Sequence, residues 1–194
     1  DGTTTGGNAR GNYAIDLQIY RNNATQVASG TSSVVIGQKN IASLSYAVAI
    51  GDSNNASWIS SVAIGQSNTS SASQSVAIGS GNTSSGTSST VLGASNTASS
   101  NYSTVSGGQS NTASTNTHAT VVGGQSNTSS GQWSISGGFS NTASGQNAIS
   151  LGYRGIVSAT GAIVISNNDG SGNPTASGNW SNVFGGVTSS ATNT

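Results

Sequence analysis

The residues that could carry out chemistry are few and scattered along this chain. It has four aspartates, three arginines, one lysine and one histidine, and it contains no glutamate or cysteine. Paired-carboxylate catalysis needs two neighbouring acids, and Asp16 and Asp52 stand at different offsets in the repeat described below. His118 alone cannot complete a zinc site. The sequence therefore predicts no catalytic, cofactor-binding or metal site, and we expect the protein not to be an enzyme.

Aromatic side chains are the better candidates for binding, because their spacing follows a fixed interval. Tyr102, His118 and Trp133 each stand five or six residues before a glycine that closes an apolar triplet, and Phe139 and Tyr153 directly follow such a glycine. In a solenoid, equal offsets become neighbouring positions on one surface, where exposed aromatic rings can stack on sugar rings. The alternative is that packing between chains, or a neighbouring coil, covers these rings.

The offsets come from an internal repeat. The glycines that close the triplets are Gly37, Gly51, Gly65, Gly79, Gly93, Gly108, Gly124, Gly138 and Gly152. Their spacing is 14 residues, apart from one spacing of 15 and one of 16. Asn and Gly tolerate the left-handed backbone of a tight corner. The column three residues after the glycine is therefore predicted to form the repeat turns, among them Asn68, Asn82, Asn96, Asn111, Asn127 and Asn141.

Each period contains one apolar strand and one smaller strand, separated by two turns. This pattern predicts an all-β fold, a parallel β-solenoid built as a two-sided β-roll of about ten 14-residue coils. Alternation along the apolar strand predicts one face directed into the roll. The predicted structural core consists of Val48, Ile50, Val62, Ile64, Val76, Ile78, Val105, Val121 and Ile135.

So thin a roll has little interior, which indicates an oligomer. A few small apolar side chains per coil hardly offset the conformational entropy of the residues they order. Partner chains would have to cover the remaining apolar surface, most simply around a three-fold axis. The residues by themselves indicate a need for partners without fixing their number.

Three segments are predicted along the chain. Residues 1–19 form a capping or attachment segment, because Ile15, Leu17 and Ile19 alternate with polar residues as in a half-buried strand. Residues 20–168 form the β-roll repeats. Residues 169–194, which are rich in Gly and Asn, form a C-terminal cap or docking segment.

Glycine replaces isoleucine in the later repeats, at Gly107, Gly123 and Gly137. We expect close backbone approach at these positions, so that a Gly123→Ile change would overpack the roll. The alternative is that these glycines are permissive corner residues.

The stretch S-V-A-I-G-Q-S-N-T-S-S-A-S-Q-S-V-A-I-G at 61–79 resembles the head repeats of trimeric autotransporter adhesins. The resemblance implies a left-handed roll, a homotrimer and display outside the cell. The segment G-G-N-A-R-G-N-Y-A-I-D-L-Q at 6–18 resembles the chain that precedes such repeats in phage tail-fibre proteins. A bacterial surface and a virion therefore both remain open as the place of display.

The composition excludes some classes of binding partner. Only 4% of the residues are charged and the net charge is zero, so the chain offers no electrostatic surface for nucleic acid. No apolar run approaches the roughly 20 residues of a membrane span, so membrane insertion is not expected. The expected function is that of a structural and adhesive fibre segment. Its expected partners are a surface glycan or protein receptor, and further fibre or virion components at its termini.

Two other functions fit the sequence. One is a purely structural filament or decoration protein without a ligand. The other is an ice-binding solenoid, because regular threonine rows on a flat sheet can match an ice lattice. The threonine column consists of Thr69, Thr83, Thr97, Thr112, Thr128 and Thr142.

Overall fold

In the computed structural model, the chain is an all-β parallel β-solenoid of about 11 turns. The structure describes residues 9–167, residues 172–185 and the backbone of 190–191, and no helix occurs among them. The start of the predicted segment 1–19, and parts of the predicted segment 169–194, lie outside the described residues. The chain divides into two compact units, of which the first ends at Ser95 and the second begins at Asn96.

In the first unit, long strands of five or six residues alternate with strands of two residues. In chain order the strands are β1 Ile15–Tyr20, β2 Val34–Gln38, β3 Ile41–Ala42, β4 Val48–Asp52, β5 Asn55–Ala56, β6 Val62–Gln66, β7 Thr69–Ser70, β8 Val76–Ser80, β9 Thr83–Ser84 and β10 Thr90–Ala94. The long strands pair in parallel to form one sheet, and the short strands from β3 to β9 pair in parallel to form a second. Equivalent residues of successive coils are therefore direct neighbours.

The second unit repeats this arrangement. Its strands are β11 Thr97–Ala98, β12 Thr104–Val105, β13 Thr112–Ala113, β14 Thr120–Gln125, β15 Thr128–Ser129, β16 Ile135–Phe139, β17 Thr142–Ala143, β18 Ile149–Tyr153, β19 Ile156–Val157, β20 Ile163–Asn167, β21 Thr175–Ala176, β22 Asn182–Gly185 and β23 Ser190–Ala191. The even-numbered strands from β12 to β22 pair in parallel to form one sheet, and the odd-numbered strands from β11 to β23 pair in parallel to form another.

A tight corner closes each long strand, and its backbone explains the glycine column. Gly65 has a φ of +116°, and a Cβ built on it would lie 2.1 Å from the carbonyl oxygen of Gly79 in the next coil. Glycine is therefore required both by the positive φ and by the close approach of the next coil. Ser67 then adopts a left-handed conformation with φ 55° and completes the corner.

The asparagine column has a different role from the one predicted. None of the predicted turn asparagines, Asn68, Asn82, Asn96, Asn111, Asn127 and Asn141, has a positive φ, and all six are fully buried. The left-handed residue is the one before each asparagine. The Nδ2 of Asn68 donates to the carbonyl oxygens of Ile64 and Gly79 and to Oδ1 of Asn54, at 2.8–3.0 Å. The column is thus a buried amide ladder that links successive coils.

The interior is made mainly of alanine, serine and asparagine with some valine, and no isoleucine is buried in the described part of the chain. Ala49, Ala63 and Ala77 of the long strands are fully buried, while the flanking valines and isoleucines are only half-buried or exposed. Because successive side chains of a strand point to opposite faces, these valines and isoleucines face away from the interior. Valine is the largest apolar side chain buried between the two sheets in the described residues, because the tight corners hold the sheets close together.

The predicted core is accordingly corrected. The prediction of inward-facing side chains is wrong for Val48, Ile50, Val62, Ile64, Val76, Ile78 and Ile135, which lie on the outer face of the long strands. Val105 and Val121 are fully buried, because they pair in register with each other and Val121 pairs with the buried Ser136.

In strand β1 the apolar side chains also face outward. Its apolar residues Ile15, Leu17 and Ile19 are exposed, and Leu17 is 62% exposed. Asp16 instead faces the interior and pairs with Arg21 at 3.5 Å, with both side chains about 95% buried. The amide of Gln18 accepts a hydrogen bond from the backbone N–H of Asn40 and so begins the amide ladder.

The prediction of close backbone approach is wrong for two of the glycines that replace isoleucine, Gly107 and Gly123. A Cβ at Gly107 would meet nothing within 4 Å, and one at Gly123 only the Gly107 carbonyl oxygen at 3.9 Å. Their φ values of +153° and +132° explain the choice of glycine. The extra residue of the longer coil forms a bulge in β14 between Val121 and Gly124. Gly137 is different: a Cβ there would lie 2.2 Å from the Val122 side chain.

Candidate functional site

Three aromatic residues of the second unit form one exposed stack at the corner that precedes the long strands. We call Tyr102, His118 and Trp133 the corner stack. The ring centroids of Tyr102 and His118 are 5.0 Å apart with an interplanar angle of 16°, and those of His118 and Trp133 are 6.2 Å apart with 32°. Tyr102 and Trp133 are 54% and 48% exposed. The rings cover part of one another and leave their edges in solvent.

The backbone of the corner stack is held in an unfavourable conformation. Tyr102, His118 and Trp133 have φ values of 58°, 64° and 54°. A positive φ costs about 1 kcal/mol or more in a bulky residue and persists only where the surrounding structure enforces it. Hydrogen bonds from the His118 N–H to the Asn101 carbonyl, and from the Trp133 N–H to the Thr117 carbonyl, fix two of these corners.

Phe139 and Tyr153 form a second exposed cluster, which we call the strand-end pair. They close the paired strands β16 and β18 and face each other in register. Their ring centroids are 5.0 Å apart with an interplanar angle of 14°, and they are 38% and 37% exposed. Both clusters bring together residues that their offsets in the sequence had placed side by side.

Arg154 belongs to the strand-end pair, although the sequence analysis did not select it. Its guanidinium carbon lies 5.9 Å from the Tyr153 ring centroid, within range of a cation–π interaction. The backbone N–H of Arg154 donates to the Phe139 carbonyl oxygen at 2.8 Å, and this hydrogen bond anchors the left-handed backbone of Arg154. The signal that could have identified it is charge, because Arg154 is the only charged residue between Asn96 and Asn167.

The equivalent corner of the first unit offers a matched comparison. Lys39 also lies two residues after a closing glycine, and its ammonium nitrogen lies 5.5 Å from the Tyr20 ring centroid. Asp52, however, is close enough to Lys39 for the lysine charge to contribute to lowering the aspartate pKa, after a larger effect from the hydrogen bond of Ser53. The charge of Lys39 thus acts on a nearby carboxylate, whereas Arg154 has no carboxylate in the described part of its unit.

The outer face of the long strands is an apolar surface, which we call the outer apolar columns. In the first unit it contains Ile15, Leu17, Ile19, Val34, Ile36, Val48, Ile50, Val62, Ile64, Val76, Ile78 and Leu92. Contiguous exposed apolar surface of this kind usually marks an interaction site.

The threonine column lies on the outer face of the short strands. Thr69 pairs with Thr83, and Thr97, Thr112, Thr128 and Thr142 pair in series within the second unit. Each coil contributes one threonine to this half-buried row.

Metal-binding groups and membrane-spanning helices also bear on function. Among residues 9–167 and 172–185, no three side chains of His, Cys, Asp or Glu lie together in a group that could hold a metal ion. The part of the chain that the structure describes also contains no helix with the length and hydropathy needed to cross a membrane.

Comparison with known families gives one match, which covers just over half of the chain. The model of the YadA head domain repeat matches residues 28–54, 59–82, 84–110 and 130–154. No curated protein sequence matches the chain. The matched segments contain long and short strands of both units and every closing glycine except Gly124, and of the ladder asparagines named above they contain Asn68, Asn82, Asn96 and Asn141. The chain belongs to the YadA head domain repeat family, the repeat of the trimeric autotransporter adhesin head.

Proposed function

We propose that this protein is a non-enzymatic, adhesive segment of an extracellular fibre, and that it works as a left-handed homotrimeric roll. The family supports an adhesin-like structural role. The observation that carries the proposal is the position of the outer apolar columns. In a single chain, all the isoleucines and most of the valines on the long strands of the first unit face away from an interior built mainly of alanine, serine and asparagine.

A trimer resolves this imbalance. Fully burying a valine or isoleucine side chain contributes about 1.5–3 kcal/mol, which a single chain does not gain at half-exposed positions. Two further copies that present the same columns around a three-fold axis would bury them against one another. Between Val34 and Ala94, Asp52 is the one charged residue on the long strands. Packing these strands against partner chains therefore requires almost no desolvation of charge.

Sedimentation of the purified protein tests the assembly. We expect a trimer, with dissociation and loss of β-structure in one transition. An Ile64→Asn change should weaken the trimer, because it places an amide in the apolar contact. The matched control is Thr83→Asn on the outer face of the short strands, which should leave the trimer intact. A stably folded monomer at micromolar concentration would contradict the proposal.

Adhesion is tested separately from assembly. We expect the trimer to bind a surface glycan or receptor, and an array of immobilised glycans measures the first of these directly. A trimer that retains no array component would favour the purely structural filament or decoration protein.

The same preparation tests the ice-binding alternative, for which the paired threonine column is the supporting observation. We expect no thermal hysteresis, because each coil offers a single threonine on this face. Hysteresis that disappears in a Thr112→Val, Thr128→Val double variant would replace adhesion with ice binding as the function. Display on a bacterial surface or on a virion fits the proposal equally, and further fibre components are expected at the termini.

A further inference from the structure

We infer that the strand-end pair, together with Arg154, binds a carboxylated sugar. This inference rests on the proposed adhesive function and specifies its ligand class. An aromatic surface, an isolated positive charge and a row of amides lie together at this place.

The aromatic surface comes from Phe139 and Tyr153. Their rings stack on each other at 5.0 Å, and each residue is more than a third exposed. The C–H groups on one side of a pyranose ring are apolar and weakly positive, and they pack on the negative face of an aromatic ring. The mutual stacking holds both rings rigid, so little side-chain entropy is lost on binding.

The isolated charge is Arg154. Its guanidinium lies over the Tyr153 ring, its side chain is exposed, and no carboxylate stands between Asn96 and Asn167. The planar guanidinium can donate two parallel hydrogen bonds to one carboxylate, a geometry that a lysine cannot supply. Lys39 occupies the equivalent corner of the first unit but has Asp52 nearby, whereas no carboxylate between Asn96 and Asn167 competes with an external anion for Arg154.

Amides flank the two rings along the same row. Gln125 pairs in register with Phe139, Gln109 pairs with Gln125, and Asn167 pairs with Tyr153. Their side chains are exposed, and amides both donate and accept hydrogen bonds, as sugar hydroxyls require. No apolar pocket borders the pair in the described residues. A flat, polar row with two rings and one cation fits a sugar chain better than a peptide side chain.

Calorimetric titration of the trimer with matched oligosaccharides tests this inference. The probes are trigalacturonic acid and its carboxyl-reduced, neutral counterpart. We expect the acidic probe to bind at least about tenfold more tightly, because a charge-assisted hydrogen bond contributes about 1.5–3 kcal/mol and each 1.4 kcal/mol is tenfold in affinity. Binding of the acidic probe should weaken as salt is raised.

Three variants locate the site. Arg154→Gln should reduce affinity for the acidic probe to that of the neutral one and leave the neutral probe unaffected. Phe139→Leu should weaken the binding of both probes. Lys39→Gln is the matched control, since it removes the equivalent cation of the first unit, and it should change neither affinity.

The outcomes separate the inference from the proposed function. Sedimentation of each variant reports assembly, so a monomeric parent protein counts against the fibre and not against the site. Equal affinity of a trimeric parent for both probes, or an Arg154→Gln variant that binds the acidic probe like the parent, overturns the inference. So does equal, Arg154-dependent binding of a triglutamate peptide, because the ligand would then be any carboxylate and not a sugar.

Discussion

The two units are built on one repeat and differ in where they place large side chains. In the first unit the long strands direct valine and isoleucine outward over alanine, as in Val62-Ala63-Ile64. In the second unit β14 carries a bulge, serine replaces alanine inside, and glycine replaces isoleucine outside, as in Ile135-Ser136-Gly137. The corner stack and the strand-end pair both belong to the second unit, and we assign binding to the strand-end pair. The comparison indicates a first unit made for packing and a second unit with a more varied surface.

The first prediction compares glycines of the two units and has the largest expected effect. Gly65→Ala should prevent folding or cost more than about 3 kcal/mol, because its Cβ would overlap the next coil at a positive φ. Gly123→Ala should cost about 1–2 kcal/mol from the positive φ alone, because its Cβ has open space. Chemical denaturation followed by circular dichroism measures both. Equal losses would show that the two corners are not different.

The second prediction concerns the amide ladder, which both units share. Asn68→Ala removes the donor to the Ile64 and Gly79 carbonyls and the acceptor for the Asn82 N–H. Each buried group left without a partner costs about 1–3 kcal/mol, so we expect a loss of about 3 kcal/mol or more. Asn127→Ala should cost a similar amount. The control is the exposed neighbour, Gln66→Ala, and a comparable loss in that variant would contradict the importance of the ladder.

The third prediction exchanges the inner residues of the two units. The hydroxyl of Ser136 is buried without a hydrogen-bond partner among the described residues, whereas Ala63 occupies the corresponding inner position in the first unit. Ser136→Ala should stabilise the protein by about 1 kcal/mol, and Ala63→Ser should destabilise it by a similar amount. Ser150→Ala is the control: its hydroxyl donates to the Gly155 carbonyl at 2.8 Å, so its removal should destabilise. Melting temperatures measure all three, and a destabilised Ser136→Ala would refute the argument.

The fourth and smallest effect is a pH dependence confined to the first unit. A hydrogen bond from Ser53, with smaller contributions from Gln38 and Lys39, lowers the pKa of Asp52 below its ordinary value of 3.8. The resulting stability is present above the unfolded pKa and is lost as pH falls through the lower folded pKa. The parent should therefore melt slightly lower at about pH 3 than at about pH 5, and Asp52→Asn should reduce this difference. An unchanged difference in the variant would assign the effect to another group.

Sequence reasoning identified the architecture and mistook the orientation of its strands. The 14-residue spacing predicted parallel coils with two strands each, because only residues in register recur at a fixed interval. It could not show which face of V-A-I points inward, since alternation alone fits both faces. The width of the roll decides this: corners closed by Gly65 and Ser67 bring the sheets so close that no apolar side chain larger than valine is buried between them in the described residues.

The candidate site was predictable in part. Equal offsets placed Tyr102 beside His118 and Phe139 beside Tyr153, because a solenoid converts sequence interval into distance. Arg154 could not be selected by offset, because its column holds serine, glycine or lysine in the other coils from Gly37 to Gly138. Its isolation from other charges can be read from the sequence, but its position over the Tyr153 ring is seen only in the structure.

The amide ladder also bears on how such a chain can change its length over evolutionary time. Asn68 donates to Asn54 and accepts from Asn82, so each coil presents the same bonding groups on its two sides. Loss or duplication of a 14-residue stretch therefore joins edges that already match, and no compensating substitution is needed. A coil of 15 or 16 residues, with its bulge in β14, lacks this freedom because its edges match only their present neighbours. Recombination between repeats would thus lengthen or shorten the chain in whole 14-residue coils, in the first unit and after Gly124 in the second, and leave the two longer coils unchanged.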